Sequence, residues 1–82
     1  MPSITFKKSV AKDLRKLSKE IRKRIFSKIE EELSDHPLDY PELKGKFAGL
    51  RKYRVGDYRV IYAVLDEQVV ITRIAHRKQA YD

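Results

Sequence analysis

Cationic side chains, with a histidine and a tyrosine among them, are the residues of this sequence best suited to chemistry. They form two groups, one around a Gly-Asp turn and one after an apolar run: Arg51, Lys52, Arg54 and Arg59, then Arg73, His76, Arg77, Lys78 and Tyr81. An arginine binds a phosphate through paired hydrogen bonds, and a lysine adds a point charge. Residues of these types, brought together by a fold, would hold a phosphate in one concavity.

Cleavage of RNA without a metal asks more of a site than phosphate binding. A base must take the 2′-hydroxyl proton, cations must stabilise the charge that builds up on the phosphate, and an acid must protonate the leaving 5′-oxygen. His76 and Tyr81 are the candidate bases, with Arg77 or Lys52 near the leaving group. A tyrosine ordinarily ionises only near pH 10, so it would depend on neighbouring cations to act as a base.

Each candidate residue also has a purely structural interpretation. His76 fits the end of a strand equally well, and Arg54 and Arg73 fit surface charges that guard a sheet edge. Tyr58 and Tyr62 alternate on one strand face, which favours the core. Residue chemistry alone therefore indicates a small basic domain that binds RNA or an acidic partner.

The length, composition and net charge of the chain agree with that interpretation. The 82 residues include 19 Lys and Arg against 12 Asp and Glu, which gives a net charge of +7. A surplus of this size favours nucleic acid, an acidic protein or an anionic membrane surface as the partner. A chain of this length forms one domain, here residues 1–82, with a single layer of helices on a sheet.

Several classes of site and location are disfavoured. The sequence has no cysteine and only two histidines, and it has neither a Gly-rich phosphate loop nor a His-Glu-x-x-His motif. We therefore predict no metal and no cofactor. A signal peptide and a run of roughly 20 apolar residues are also missing, which predicts a soluble, cytoplasmic protein.

Apolar periodicity predicts a short strand, Ser3–Phe6, followed by two helices. Ser9 and Ser18 are the predicted N-caps, because a serine hydroxyl can accept from a free N–H of the first turn. The second helix is expected to reach about Ser34, since the residue before Pro37 avoids helical geometry.

Residues 35 to 48 are a predicted loop that contains Lys44 and Lys46. We expect its apolar side chains to pin it to the core edge; they are Leu38, Tyr40, Leu43 and Phe47.

A three-stranded meander follows, at Leu50–Val55, Tyr58–Leu65 and Val69–Ala75, with turns at Gly56-Asp57 and Asp66-Glu67-Gln68. The order β-α-α-β-β-β predicts an α+β fold with an antiparallel sheet. The two helices are expected to form an antiparallel hairpin, or a bent pair, packed on one face of that sheet. Because the third strand runs antiparallel to the second, Arg59 is predicted to lie near His76 and Arg77.

Several short motifs are spread along the chain; in order they are Ala11-x-x-Leu14-x-x-Leu17, Leu43-Lys44-Gly45, the segment from Leu50 to Tyr62 with its Arg-Val-Gly-Asp-Tyr-Arg core, Asp66-Glu67, and Ile74-Ala75-His76-Arg77 with Tyr81. Through these motifs the sequence resembles, over nearly its whole length, the RelE/ParE toxin superfamily of bacterial and archaeal toxin–antitoxin systems.

The resemblance to the RelE branch implies a metal-independent endoribonuclease that cuts mRNA in the ribosomal A site and is neutralised by a cognate antitoxin. By resemblance, Arg59 stabilises the transition-state phosphate, Arg77 is an acid or charge stabiliser, and Tyr81 is the base, with His76 as the alternative. Lys52 would contact the substrate. The further predicted RNA contacts are Lys44, Lys46, Arg51, Arg54, Arg73 and Lys78.

Two other functions remain open from the sequence. The ParE branch inhibits DNA gyrase and lacks this constellation, so the presence of Arg59, Arg77 and Tyr81 favours RelE. A non-enzymatic basic module that binds nucleic acid without cleaving it is the third possibility.

Overall fold

A strand, two helices and a three-stranded meander follow one another along residues 3–78, the part of the chain that the computed structural model describes. The elements are β1 (Ser3–Phe6), α1 (Val10–Arg15), α2 (Lys19–Lys28) with a π-helical turn (Ile29–Leu33), a 3-10 turn (Gly45–Phe47), β2 (Arg51–Val55), β3 (Tyr58–Leu65) and β4 (Gln68–His76). The predicted α+β fold is confirmed. β2 begins one residue later than predicted, and β4 is one residue longer at each end.

The four strands form one sheet in the order β1-β4-β3-β2. The meander is antiparallel, as predicted, but β1 pairs with β4 in parallel, so the expectation of a wholly antiparallel sheet was wrong for this strand. Parallel strands need a long crossover connection, and both helices lie in the connection that follows β1.

The core lies between the helices and one face of the sheet. It combines the apolar stripes of the helices with alternate strand residues: Val10, Leu17, Ile25, Ile29, Leu33, Tyr53, Val55, Val60, Tyr62, Val69, Ile71 and Ile74. Since successive strand residues point to opposite faces, the intervening residues lie on the face away from the helices. Among residues 3–78, no helix is long and apolar enough to cross a membrane.

The two predicted N-caps differ. The Ser18 hydroxyl accepts from the backbone N–H of Ile21 at 3.2 Å, which confirms the cap of α2. Ser9 precedes α1, but its own backbone is helical and its side chain makes no capping bond, so that prediction was wrong. A cap needs an extended backbone to aim its hydroxyl at the first turn, and Ser18 has one.

Candidate functional site

Three of the predicted site residues share the sheet face that points away from the helices. Tyr53 and Val55 belong to the core, so the alternating Lys52 and Arg54 lie on the other face. Arg59 is the register partner of Arg54 and lies on that same face. Cations directly opposite each other on a sheet repel, so this pairing is unfavourable unless an anion lies between or beside them.

These three cations line a cleft at the β2 edge. The cleft has a volume of about 340 Å³, and its walls are Tyr40, Pro41, Lys52, Tyr53, Arg54 and Arg59. A concave site that combines apolar walls with a few polar groups is typical of ligand pockets. Here the polar groups are cations, so the cleft is suited to an anion attached to a flat or apolar body.

The loop before β2 forms the outer wall of this cleft because it pairs with the edge of the strand. The Lys52 N–H donates to the Pro41 carbonyl at 3.1 Å, and the Leu43 N–H donates to the Leu50 carbonyl at 2.8 Å. An isolated β-bridge joins Glu42 and Arg51. The loop thereby covers an edge that would otherwise expose unpaired backbone groups.

Arg51, a predicted RNA contact, holds this loop. Its guanidinium donates to the Tyr40 carbonyl at 2.7 Å and lies 3.4 Å from the Leu38 carbonyl. Leu38 was predicted to pin the loop through its side chain, but that side chain is exposed, so the prediction was wrong. A hydrogen bond to the main chain, which the apolar pattern does not reveal, fixes this part of the loop instead.

Two core tyrosines near this wall each donate a hydrogen bond, one to the loop and one to the π-helical turn. The Tyr62 hydroxyl donates to the Pro37 carbonyl at 2.6 Å, and burial raises the pKa of Tyr62 to about 12. The Tyr53 hydroxyl donates to the Glu32 carboxylate, and burial, then this hydrogen bond, raises the pKa of Tyr53 above its ordinary value. Both phenols therefore stay protonated at neutral pH and act as hydrogen-bond donors rather than as bases.

The predicted base His76 lies on the helix-facing side of the sheet. It is the register partner of Tyr58, and the two rings pack edge to face with their centroids 5.6 Å apart. Arg59 follows Tyr58 in β3 and pairs with Ala75, so its side chain points to the opposite face. Arg59 and His76 lie close together on neighbouring strands, as expected, but their side chains are on opposite faces of the sheet.

Arg73 precedes His76 in β4, beside an irregularity in the β3–β4 pairing, and its register partner is Ile61. With His76 it lines a separate cavity of about 120 Å³ that also includes Asp13. The Asp13 carboxylate accepts from the Ile74 N–H at 3.0 Å. β1 pairs with β4 only as far as Ile71, so Asp13 satisfies the strand edge beyond that point.

Arg77 extends the β3–β4 register by one step, because its N–H donates to the Asp57 carbonyl at 2.8 Å. Alternation along β4 places position 77 on the face of Ala75, the partner of Arg59. Lys78 follows directly, and its N–H lies 3.4 Å from Nδ1 of His76. Tyr81, the predicted base, lies outside the described residues.

Lys44 and Lys46 flank the glycine that starts the 3-10 turn, and both are exposed. The Lys46 ammonium lies over the Phe47 ring, 5.3 Å from its centroid. Neither lysine lines the cleft. Tyr40 and Pro41 are cleft residues that were not predicted, because they lie outside the basic strands; the aromatic-proline pair within the loop was the available signal.

Residues 4–81 match the family model described as the ParE toxin of the type II toxin–antitoxin system, parDE. Toxin RelE3 of Methanocaldococcus jannaschii is 37% identical over 84 residues, which cover 96% of this chain and 94% of that protein.

Solved toxin–antitoxin complexes also contain chains similar to this one. The toxin–antitoxin complex RelBE2 of Mycobacterium tuberculosis contains a chain with a TM-score of 0.85 and 33% identity, covering 94% of this chain and all of the other. The RelB–RelE antitoxin–toxin complex of Methanococcus jannaschii gives a TM-score of 0.70 and 33% identity, with 95% of each chain covered.

Proposed function

Because the chain belongs to the RelE/ParE superfamily of toxins from type II toxin–antitoxin systems, we propose that it is a RelE-like endoribonuclease that cleaves mRNA in the ribosomal A site and so stops translation. The observation that carries this proposal is the cleft at the β2 edge, in which Lys52, Arg54 and Arg59 lie together on one face. Relatives at 33–37% identity bear the name RelE.

The proposed reaction is an internal transesterification of the RNA backbone. The 2′-oxygen attacks the adjacent phosphorus and loses its proton to a base, and the bond from phosphorus to the 5′-oxygen breaks. The products are a 2′,3′-cyclic phosphate and a 5′-hydroxyl, which takes up a proton from an acid. Arg59 would hold the phosphate oxygens through paired hydrogen bonds as their charge grows, while Lys52 and Arg54 would bind the flanking phosphates.

We assign the base by excluding His76, and we keep Arg77 as the acid or charge stabiliser. His76 lies on the other side of the sheet from Arg59, so we assign the base role to Tyr81 rather than to His76. Arg77 directly follows β4, where its N–H donates to the Asp57 carbonyl, and it would donate a proton or stabilise charge at the leaving oxygen. No cofactor is assigned to this reaction.

The proposed partners are mRNA on the ribosome and a cognate antitoxin, both in the cytoplasm. The solved RelBE structures are complexes of a toxin with an antitoxin. A chain with a net charge of +7 suits an acidic antitoxin as well as RNA. Either partner would bring negative charge to the face that carries Arg54 and Arg59.

The test is cleavage of a defined mRNA by the purified protein in a reconstituted translation reaction, with cut sites mapped by primer extension. Arg59→Ala should lower the cleavage rate by about 100- to 1,000-fold, as loss of a transition-state charge stabiliser typically does. Arg59→Lys should restore part of the loss, because it keeps the charge without the paired geometry. Arg15→Ala removes the same charge from the exposed end of α1 and should leave cleavage unchanged.

The match to the ParE family model favours a second candidate, inhibition of DNA gyrase. That function predicts that the wild-type protein blocks supercoiling and traps gyrase-dependent DNA breaks, while mRNA stays intact in the translation reaction. Intact mRNA together with gyrase inhibition would reject the nuclease proposal and support this candidate.

A further inference from the structure

Part of the lining of the cleft at the β2 edge is not suited to binding phosphate. Tyr40, Pro41 and Tyr53 line this cleft together with the cations Lys52, Arg54 and Arg59. A wall made of an aromatic ring and a proline offers flat apolar surface, and an isolated phosphate gains nothing from it. The geometry therefore points to a ligand that joins an anion to a flat ring.

We propose that Tyr40 and Pro41 form a nucleobase subsite, in which a base of single-stranded RNA stacks on Tyr40 while its own phosphate reaches the cations across the cleft. This inference rests on the proposed RNA-cleaving function and deepens it, because it assigns a residue of the loop to substrate binding. Tyr40 is a substrate-binding residue here and takes no part in proton transfer.

The Tyr40 ring is held in place before any ligand binds. Its centroid lies 4.8 Å from that of Tyr53, with the two planes at 68°, and its backbone carbonyl accepts from Arg51. Tyr53 is fixed in turn by its hydrogen bond to Glu32. A stacking surface that is already ordered avoids the entropic cost of fixing a mobile side chain on binding.

The chemistry of this wall also predicts how selective it is. Every base has a π-face, so stacking on an aromatic ring tolerates all four bases. Pro41 has no N–H to donate, which leaves its part of the wall without a backbone donor for a base edge. The subsite should therefore require that a base be present while discriminating weakly among bases.

The experiment measures binding by fluorescence anisotropy of two labelled hexamers of 2′-O-methyl RNA, which cannot be cleaved. One carries adenine at every position, and the other is abasic throughout with the same number of phosphates. Wild-type protein should prefer the adenine hexamer, and Tyr40→Leu should reduce that preference by about 5- to 150-fold, the range of a single base stack. Tyr40→Phe should keep the preference.

Two controls separate stacking from other effects. Phe26→Leu removes a partly buried aromatic ring from α2, outside the cleft, and should leave both affinities unchanged. The thermal unfolding midpoint of each variant checks that it is folded. Equal affinity of wild-type protein for the two hexamers would overturn the subsite without recourse to any variant, as would an equal loss for both hexamers in Tyr40→Leu.

The outcome is distinguishable from that of the nuclease proposal. If wild-type protein cleaves mRNA but Tyr40→Leu keeps the base preference, the subsite is wrong and the nuclease stands. If wild-type protein shows a Tyr40-dependent base preference and cleaves nothing, the subsite stands and the nuclease is wrong.

Discussion

Replacing Tyr62 with phenylalanine tests how much the hydrogen bond between the core and the loop beside the cleft contributes to stability. The change keeps the ring of a side chain that is fully buried and deletes only its hydroxyl, so no large cavity forms. What is lost is the hydrogen bond to the Pro37 carbonyl at 2.6 Å. A neutral hydrogen bond of this kind contributes about 1 kcal/mol, so Tyr62→Phe should lower the free energy of unfolding at pH 7 by about 1–1.5 kcal/mol.

The pH dependence adds a signature that a simple packing defect would lack. Burial raises the pKa of Tyr62 from 10 to about 12. Because folding raises this pKa, the contribution of Tyr62 to the free energy of unfolding is fully present below pH 10, where the phenol is protonated in both states. It falls between pH 10 and 12, where only the unfolded state loses its proton. At pH 11 the wild-type protein should have lost about 1.4 kcal/mol of unfolding free energy. This value follows from comparing the ionisation of Tyr62 in the unfolded state with its ionisation in the folded state.

The two effects nearly cancel. Tyr62→Phe has no proton to lose at this position, so the wild-type protein and the variant should reach about equal stability near pH 11. Urea unfolding followed by circular dichroism at pH 7, 9, 10 and 11 measures the gap, and the other tyrosines and the lysines titrate in both proteins and cancel. A gap that stays constant from pH 7 to pH 11 would refute the reasoning, since it would mean that Tyr62 ionises no less readily when folded.

Three further changes test single contacts. Ser18→Ala should cost about 1 kcal/mol of unfolding free energy because it deletes the cap of α2, whereas Ser9→Ala, at a position without a capping bond, should cost almost nothing; equal losses in urea unfolding would contradict the assignment. Gly56→Ala should lower the free energy of unfolding by about 1 kcal/mol because φ is +59° there, and Gly56→Asn should lower it less in the same assay. An alanine variant as stable as the wild-type protein would contradict a left-handed conformation at this turn. Asp13→Ala should cost about 1–3 kcal/mol by leaving the Ile74 N–H without its acceptor and should speed hydrogen exchange at that amide; unchanged exchange would contradict the contact.

Local pattern was sufficient to predict most elements. The bounds of β1 and β3 follow from alternating β-branched and aromatic residues between turn residues, and the cap at Ser18 follows from the apolar stripe after it. The chain was expected to stay helical to about Ser34, and it does, although the last turn, Ile29–Leu33, is π-helical. The Tyr53 hydroxyl lies 3.4 Å from the Lys28 carbonyl at the start of that turn. A contact between residues so far apart in sequence leaves no local signal.

The cleft was only half predictable for a similar reason. Its cations cluster along β2 and β3, so composition alone drew attention to Lys52, Arg54 and Arg59. Its apolar wall comes from Tyr40 and Pro41, which reach the cleft because their loop pairs with the edge of β2. Such edge pairing depends on backbone hydrogen bonds rather than on side-chain type, so hydrophobic patterning does not reveal it.

The placement of His76 shows how a register shift of one residue can change which side chains lie together in a site. Leu65 pairs with Gln68 across the turn, and an unbroken ladder from there would set Arg59 opposite Ile74 and bring His76 to the Arg59 face. The register instead shifts by one between Ile61 and Tyr62, so Arg59 pairs with Ala75. A shift of one residue moves every later side chain of β4 to the other face.

The same shift benefits both faces of the sheet. It turns Ile74 into the core, where it is 2% exposed, and carries position 77 to the face of Arg59. The extra residue, Thr72, is accommodated because its hydroxyl donates to the Ile61 carbonyl at 3.1 Å. The bulge thus decides which of the two adjacent residues, the histidine or the arginine, faces the cations of β3, and burial of Ile74 is the packing contribution that favours the arginine.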